Sequence, residues 1–480
     1  MGEDNTHSNI TDVFLFTRDL RLYDNTGLIS AIKKSDKDVK CIFVFNGKQI
    51  GKTNKYRSDN SIHFMIESLL DLDKSVKDKK GHVSFLYDKN GDFKELCSAL
   101  HECNSVSGTL HMSNDYTPFS AKRTNILRKH LKKIGWELQT YNDHVLTPCS
   151  LTIRSGSGKM YTTYKPFYDK VMKSVISSPK NIPRNTRLSS YKLSNEVVID
   201  DILKKLPDER VSPGRIVKGG RVQALRQLRL SRRRITPKAY FIKRHNLDYE
   251  TTHLSSYHHF GCVSIRESWK AFEGNTALRR QLIWRDFAYH RMVAWPDSEW
   301  DSVTDIGKDI KWRHDKELEN AWKTGNTGVP TVDAAMRQLK TEGYIHNRGR
   351  MVVANYLVKN LRLDWRIGEQ YFAQWLTDYD WSVNFMNWVG IAGLLPTDQP
   401  LRTMNPFIQA KKNDPDLIYV RKYVPELRDA NDRDIFKQDR DYEIITKDGK
   451  QKYPKPIIDY EHSRLDYREW AKKHLLDFEP

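Results

Sequence analysis

The chain has 480 residues, with 80 Lys and Arg against 61 Asp and Glu, giving a formal net charge of +19. Hydrophobic residues make up 38% and charged residues 29%. This composition excludes a fibre or a globally disordered chain and predicts two to four globular domains at roughly 100–200 residues each. No run approaches the roughly 18 uninterrupted apolar residues of a membrane helix. The opening MGEDNTHSN is polar and lacks the apolar centre of a secretory leader. The expectation is a soluble, intracellular protein of cytoplasm or nucleus, not secreted and without a membrane partner. The excess of positive charge favours nucleic acid or another polyanion, because neutralising phosphates releases counterions; a generally basic proteome is the alternative. Cys41, Cys97, Cys103, Cys149 and Cys262 are scattered without C-x-x-C spacing, so neither a disulfide framework nor a zinc site is expected. His258 and His259 are adjacent and point apart on a helix, and no His-Glu-x-x-His, Gly-x-Ser-x-Gly or P-loop pattern occurs. No metal site is expected.

The first third alternates β-branched runs with amphipathic stretches. Residues 12–17 (DVFLFT), 39–45, 82–87, 109–112 and 137–141 read as strands, and 62–77, 93–102 and 116–133 as helices. Strands alternating with helices imply a parallel, Rossmann-like sheet with crossover helices. No Gly-x-Gly-x-x-Gly follows the first strand, so the standard dinucleotide fingerprint is absent. Residues 147–220 are rich in Ser, Pro, Gly and Lys, notably at 154–159, 177–187 and 207–220, and read as a long surface connector with one helix near 165–175. From residue 222 strand signals vanish, and helical stretches at 278–294, 332–340, 348–361 and 369–376 predict a mostly α-helical second domain. The expected domains are therefore 10–146 (α/β), 147–220 (linker) and 221–480 (helical).

Ten of the twelve tryptophans lie between Trp269 and Trp388, where an ordinary core would use mainly aliphatic residues. In 378–388 (DYDWSVNFMNW), Asp380, Asn384 and Trp388 are spaced by four and share a face if this segment is helical. An acid, an amide and an indole on one face suit a flat heteroaromatic cofactor; a buried aromatic helix with capping acids is the alternative. In 280–286 (RQLIWRD), Gln281, Trp284 and Arg285 can read a base edge, stack on it and hold a phosphate; an interdomain polar network would use the same residues. In 346–351 (HNRGRM), Asn347 and Met351 are four apart, flanked by Arg348 and Arg350. That set offers base-edge, apolar and phosphate contacts, or simply a solvated basic helix start. Tyr240, Arg244 and the hydroxyl cluster 251–255 (TTHLS) suit either a cofactor phosphate or a helix cap.

Together these segments resemble the photolyase/cryptochrome family, specifically the class I DNA photolyases for cyclobutane pyrimidine dimers. The resemblance runs from 14–25 (FLFTRDLRLYDN) through 251–264, 282–287, 327–339 (TGVPTVDAAMRQL), 346–351 and 378–384 to 405–409 and 419–429. It implies an N-terminal α/β antenna domain, a linker and a helical domain holding FAD. Carried over by position, Tyr240, Thr251, Thr252, His253, Leu254 and Ser255 resemble the phosphate and ribityl side of the FAD site. Arg285, Asp378, Tyr379 and Asp380 resemble its remaining ligands, and Asn384 resembles the asparagine facing flavin N5. Trp388, Trp365 and Trp312 resemble the proximal, middle and surface members of the chain that photoreduces the flavin. Arg244, Gln281, Trp284, Asn347, Arg348, Met351, Arg402 and Gln409 resemble DNA or lesion contacts. The implied activity is that of a deoxyribodipyrimidine photolyase: a damaged dinucleotide flips out of DNA, excited reduced FAD donates an electron, the cyclobutane ring splits and the electron returns. The implied partner is DNA carrying ultraviolet-induced dimers, bound by a monomer.

Photolyases for the six-four photoproduct resemble one another in two histidines where this chain has Asn347 and Met351, which disfavours that substrate. Asn384, where plant-type cryptochromes tend to have Asp, and a stop about fifty residues past residue 429 favour repair over a non-repairing blue-light receptor, which is the other alternative. Departures from the family pattern are Gln281 for a usual Glu, Gly390 for an aromatic, Ser256 for a common Pro, and an unusual loop at 393–400. DWSVN itself looks nearer to the six-four and animal-cryptochrome branch. Phe119 and Ser120 occupy the positions of an Asn-Glu pair typical of folate binders. They argue against a folate antenna and leave a deazaflavin, another flavin or no second chromophore.

Overall fold

The computed structural model describes residues 10–149, 155–205, 210–294, 307, 309–395 and 399–475. The polar start, residue 154 of the RSGSGK stretch, residues 207–209 and residues 396–398 of the lesion-side loop lie outside the described residues. The chain divides into two compact units. One is Met1–Glu209 with Val217–Pro237 and Thr252–Trp295; the other is Arg210–Ile216 with Lys238–Thr251 and Pro296–Pro480.

In the first unit β1 (Asp12–Phe16), β2 (Lys40–Asn46), β3 (Val83–Asp88), β4 (Gly108–Ser113) and β5 (Trp136–Tyr141) form one parallel sheet in the order β3-β2-β1-β4-β5. Central β1 holds Leu15 in register with Ile42 of β2 and Met112 of β4. Its Val13, Phe14, Leu15 and Phe16 are all buried, the near-continuous apolar strand expected of a sheet covered on both faces. The helices Asp59–Lys77, Lys94–Cys103 and Pro118–Lys133 match expectation. The helix Thr26–Lys34 was not anticipated; its start signal is Asn25, whose side chain accepts from Leu28 N. The connector differs from the expected surface strap in two ways. It carries a second helix, Ile199–Lys205, beside Tyr164–Met172. The first of these buries Tyr164 and Phe167, because Phe167 packs on Phe287 and Tyr164 on Trp284 of the helix Thr276–Ala294.

A charged network lies inside this unit. Asp143 takes an ion pair from Arg21, another from Arg266 Nη2 (2.7 Å), and hydrogen bonds from Thr26 N (3.0 Å) and Oγ1 (2.7 Å). Arg266 Nε also pairs with Asp24 at 2.9 Å. All four charged residues are buried. Gly261 closes the same region with φ +66°, where an added Cβ would stand 2.2 Å from the Arg18 carbonyl oxygen.

The second unit is built from the helices Lys316–Thr324, Pro330–Glu342, Asn347–Asn355, Trp365–Trp375, Trp381–Ala392, Pro406–Asn413, Ile418–Tyr423 and Tyr460–His474. Asn347–Asn355 runs on into one π-helical turn, Tyr356–Asn360. The TGVPTVD segment is structural: buried Asp333 accepts from Thr327 N and Oγ1 (both 2.7 Å) and Gly328 N (3.0 Å), fixing the turn before Pro330 at the helix start. Strands do occur here, contrary to expectation. Ile444–Ile445 and Lys452–Tyr453 pair antiparallel across Asp448-Gly449, with Gly449 at φ +69°, a hairpin whose strands are too short to show alternation. Among the described residues no helix is long and apolar enough to cross a membrane.

Burial alone pushes the Asp143 carboxyl up, but Arg21 and Arg266 outweigh it and hold it well below the usual carboxylate range. A depressed folded pKa adds stability above the ordinary Asp value that is lost as pH falls. Asp143→Ala strands two buried guanidiniums and is expected to cost about 3–5 kcal/mol of unfolding free energy at neutral pH, read from the urea midpoint.

Candidate functional site

In the second unit the run from Thr377 to Trp388 gathers buried polar groups. Asp378, Asp380 and Asn384 are all under a tenth exposed. Asp378 is held by Arg350 Nη2 at 3.0 and 2.8 Å, and the same arginine donates through Nε to Ile345 O at 3.0 Å. Asp380 stands at the N-cap of Trp381–Ala392 yet makes no capping hydrogen bond, so its carboxylate is turned away from the use common at that position. Asn384 Nδ2 donates to Glu369 Oε1 (3.1 Å) and Glu369 O (3.3 Å), and Tyr379 OH donates to the same carboxylate at 3.0 Å. With the amide nitrogen committed to Glu369, the Asn384 carbonyl oxygen is the atom left to accept an N–H. Among the described residues, the buried hydroxyls of Thr377 and Ser382 have no hydrogen-bond partner. Such groups cost about 1–3 kcal/mol each, so this lining suits a polar ligand with several donors and acceptors. One turn beyond Asn384, Trp388 lies against Gly368, where an added Cβ would come 2.1 Å from the indole.

Other predicted residues of this unit fall into three groups. Tyr240 is buried, and Thr251 Oγ1 bonds Tyr344 OH at 3.2 Å. At the start of Asn347–Asn355, Asn347 Nδ2 reaches Met351 Sδ at 3.9 Å, so the pair does share one face. Arg348 Nη2 and Arg244 Nε both reach His245, at 2.7 and 3.2 Å. Burial and these two guanidiniums, with Lys412, hold the His245 pKa below its ordinary value. Burial also lowers the Arg348 pKa, with Arg244 and Arg402 adding to it; the result is a cation cluster suited to an anion. Arg402 is exposed, on a turn whose carbonyls accept from buried Lys359 Nζ at Pro400 O (2.9 Å) and Arg402 O (2.6 Å). Gln409 bonds Asn413. Glu369, His245 and Lys359 were missed from sequence. Only Lys359, a lone cation in the apolar run VVANYLVKNL, carried a signal.

In the first unit Thr252 O accepts from Gln227 Nε2 at 2.8 Å, His253 has φ +47°, and Leu254 is buried while Ser255 is exposed. On Thr276–Ala294, Gln281 is exposed and Trp284 is 44% exposed. Trp284 stacks face to face on Tyr164 at 3.5 Å and 2°, so one aromatic partner is already supplied by the chain. Arg285 turns inward to His144, through O at 2.7 Å and Nε2 at 2.8 Å. Next to it Asp286 accepts from Leu146 N and Thr147 N at 2.8 and 3.2 Å, while its Oδ1 has no hydrogen-bond partner. Burial pushes the Asp286 carboxyl up to about 7 against the pull of Arg285.

Trp388 and Trp365 are buried. Trp312, expected at the surface, is only 6% exposed, because Trp470 of the last helix covers it with ring centroids 5.2 Å apart. A backbone bridge between Arg313 and Leu363 ties the Trp312 segment to the residues just before Trp365.

The chain matches the sequence family described as DNA photolyase over residues 12–185 and the FAD binding domain of DNA photolyase over residues 278–473. It is similar to the deoxyribodipyrimidine photo-lyase of Streptomyces griseus, 31% identical over 472 residues, covering 95% of this chain and 98% of that one. Among solved structures, an archaeal photolyase from Sulfolobus tokodaii with two FAD molecules superposes with a TM-score of 0.82 at 31% identity, covering 96% and 99% of the two chains. A class III photolyase from Agrobacterium tumefaciens gives 0.85 at 26% identity, covering 98% and 99%. The match to an FAD binding domain over residues 278–473 places the chain in a flavin-binding class of protein. The chain belongs to the DNA photolyase family.

Two outcomes follow from this geometry. Gly368→Ala forces its methyl into Trp388 and is expected to cost about 1–3 kcal/mol, with a changed tryptophan fluorescence spectrum at unaltered secondary structure. For Asp286 the folded pKa lies above the unfolded one, so between about 4 and about 7 the folded state holds the extra proton and stability falls as pH rises. Asp286→Asn removes that fall. Urea midpoints should therefore move in favour of the variant, relative to the parent, as pH is raised across this window.

Proposed function

We propose that this protein uses light to split pyrimidine dimers in DNA back to monomers. The observation that carries this is the buried run of the second unit: two carboxylates, an amide with its acceptor oxygen left over, and an indole one turn on. Similarity along nearly the whole chain to relatives named deoxyribodipyrimidine photo-lyase supports it. Bound FAD supplies the photoexcitable electron donor. Within the second unit, Asp378, Tyr379, Asp380, Asn384, Tyr240 and Thr251 would hold it. Glu369 holds the Asn384 amide nitrogen, so the carbonyl oxygen would be free to accept a hydrogen bond from a ring N–H, and Arg350 holds Asp378 in place. Trp388, Trp365 and Trp312 pass electrons inward.

For the substrate, the +19 charge supplies non-specific affinity that falls with salt. Arg244, Arg348 and Arg402 neutralise phosphates. Asn347 and Met351, one polar and one apolar on a shared face, meet the flipped lesion with Gln409. An amide at Gln281 donates a hydrogen bond to a pyrimidine carbonyl but has no proton to transfer. A flavin of the kind seen twice in the archaeal neighbour is a fitting second chromophore. We take the working form to be a monomer.

The test is light-dependent recovery of thymine absorbance from an oligonucleotide carrying one cyclobutane dimer, mixed with reduced protein without oxygen. A six-four oligonucleotide runs in parallel. Recovery on the dimer alone is expected; no recovery on either, with flavin bound, would overturn the proposal. Asn347→Ala and Met351→Ala should each weaken the preference for damaged over intact duplex roughly fivefold, the scale of about 1 kcal/mol for one lost contact. Competition binding at fixed salt reads this directly.

A further inference from the structure

The third tryptophan of the electron chain is poorly placed to end it. Trp312 is buried, and among the described residues its indole Nε1 has no hydrogen-bond partner; Trp365 Nε1 is in the same state. An indole that has given up an electron is a cation and a strong acid. With no acceptor at Nε1 among the described residues, it has no protein base to take its proton, and a buried unpaired charge is costly. Such a cation returns the electron vacancy or passes it on.

The neighbour able to receive it is Trp470, on the helix Tyr460–His474. Its ring centroid lies 5.2 Å from that of Trp312, at an interplanar angle of 46°, and its side chain is partly exposed. The Arg362 guanidinium sits 5.8 Å from the Trp470 ring, a charge that disfavours a cation on the indole and favours loss of the N–H proton. Tyr467, 5.9 Å from Trp470, is a poorer terminus. It is buried, its hydroxyl is spent on Pro400 O at 2.9 Å, and burial raises its pKa.

We propose that Trp470 is the solvent-side terminus of the electron chain, one step beyond Trp312. This rests on the reading of Trp388, Trp365 and Trp312 as that chain. One electron leaves Trp470 and fills the vacancy on Trp312, and Trp470 releases its indole proton to water. An external thiol then gives up one electron and one proton, becoming a thiyl radical, and restores Trp470. The net transfer is one electron from thiol to the interior, and the proton released to water balances the one taken from the thiol.

The experiment uses the flavin-loaded protein and the variants Trp470→Phe, Trp312→Phe and the double variant, with folding checked by thermal denaturation and flavin content. Photoreduction with a dithiol should be several-fold slower in W470F. The double variant should be no slower than W312F, because steps in series do not add. A second readout needs no variant: the parent protein is illuminated in air without thiol, and oxidised tryptophan is mapped by peptide mass spectrometry. The oxidation is expected on the peptide containing Trp470. Parent photoreduction rate in W470F, or oxidation on other tryptophans with none on Trp470, would overturn the proposal. Chemically reduced W470F should repair dimers as the parent does; a loss there would make Trp470 structural and also overturn it. Failure of the parent protein itself to photoreduce would instead sink the chain assignment under Proposed function.

Discussion

The ion pair between Arg350 and Asp378 is the contact on which the second unit's site depends. A carboxylate taken out of water demands a partner, and here that partner sits on the helix that begins with Asn347 and Met351. One guanidinium therefore joins two functions. It fixes the loop that leads to Asp380 and Asn384, and it fixes the first turn of the helix, where Asn347 and Met351 present an amide and a thioether. Arg350 also bonds the Ile345 carbonyl, so the turn entering the helix moves with the loop. Breaking such a pair leaves an uncompensated buried charge, and its loss would disturb the loop and the helix start together.

The same rule, that buried polarity must be met, separates scaffold from site. Asp143 and Asp333 are surrounded by donors, including Arg21, Arg266 and Thr327, with every need met inside the protein. DLRLYDN, which supplies Arg21 to Asp143, and TGVPTVD, which contains Asp333, stand out in the sequence but serve the scaffold. Around Asp378–Asn384 the accounting is left open. Among the described residues, the Thr377 and Ser382 hydroxyls have no hydrogen-bond partner. Polar groups left over in a buried lining mark where a ligand's own groups are expected.

Aromatic residues show how position changes the use of one chemistry. Trp284 is half-exposed and stacked on Tyr164, a flat surface at the edge of its unit. Trp322 is fully enclosed and spends its Nε1 on the Val353 carbonyl, so it packs and caps. Trp312 and Trp365 are enclosed with no hydrogen-bond partner at Nε1 among the described residues. An indole in that state can carry charge through but not hold it.

By itself the sequence determined the five strands to within a residue or two, the helical character of the second unit, and the candidate residues at Asp378, Asp380, Asn384 and Trp388. These were legible because period-two and period-four patterns and local motifs are carried by neighbours in the chain. It also placed Asn347 and Met351 on one face, for the same reason. Only the tertiary structure decided that Glu369 holds Asn384, that Lys359 pins the turn carrying Arg402, that His245 stands between two arginines, and that Trp470 covers Trp312. Each of these pairs elements 15 to 158 residues apart, and no periodicity links residues that meet only when separate helices pack. Burial, which turned the expected surface tryptophan into an interior one, depends on what folds over a residue rather than on what flanks it.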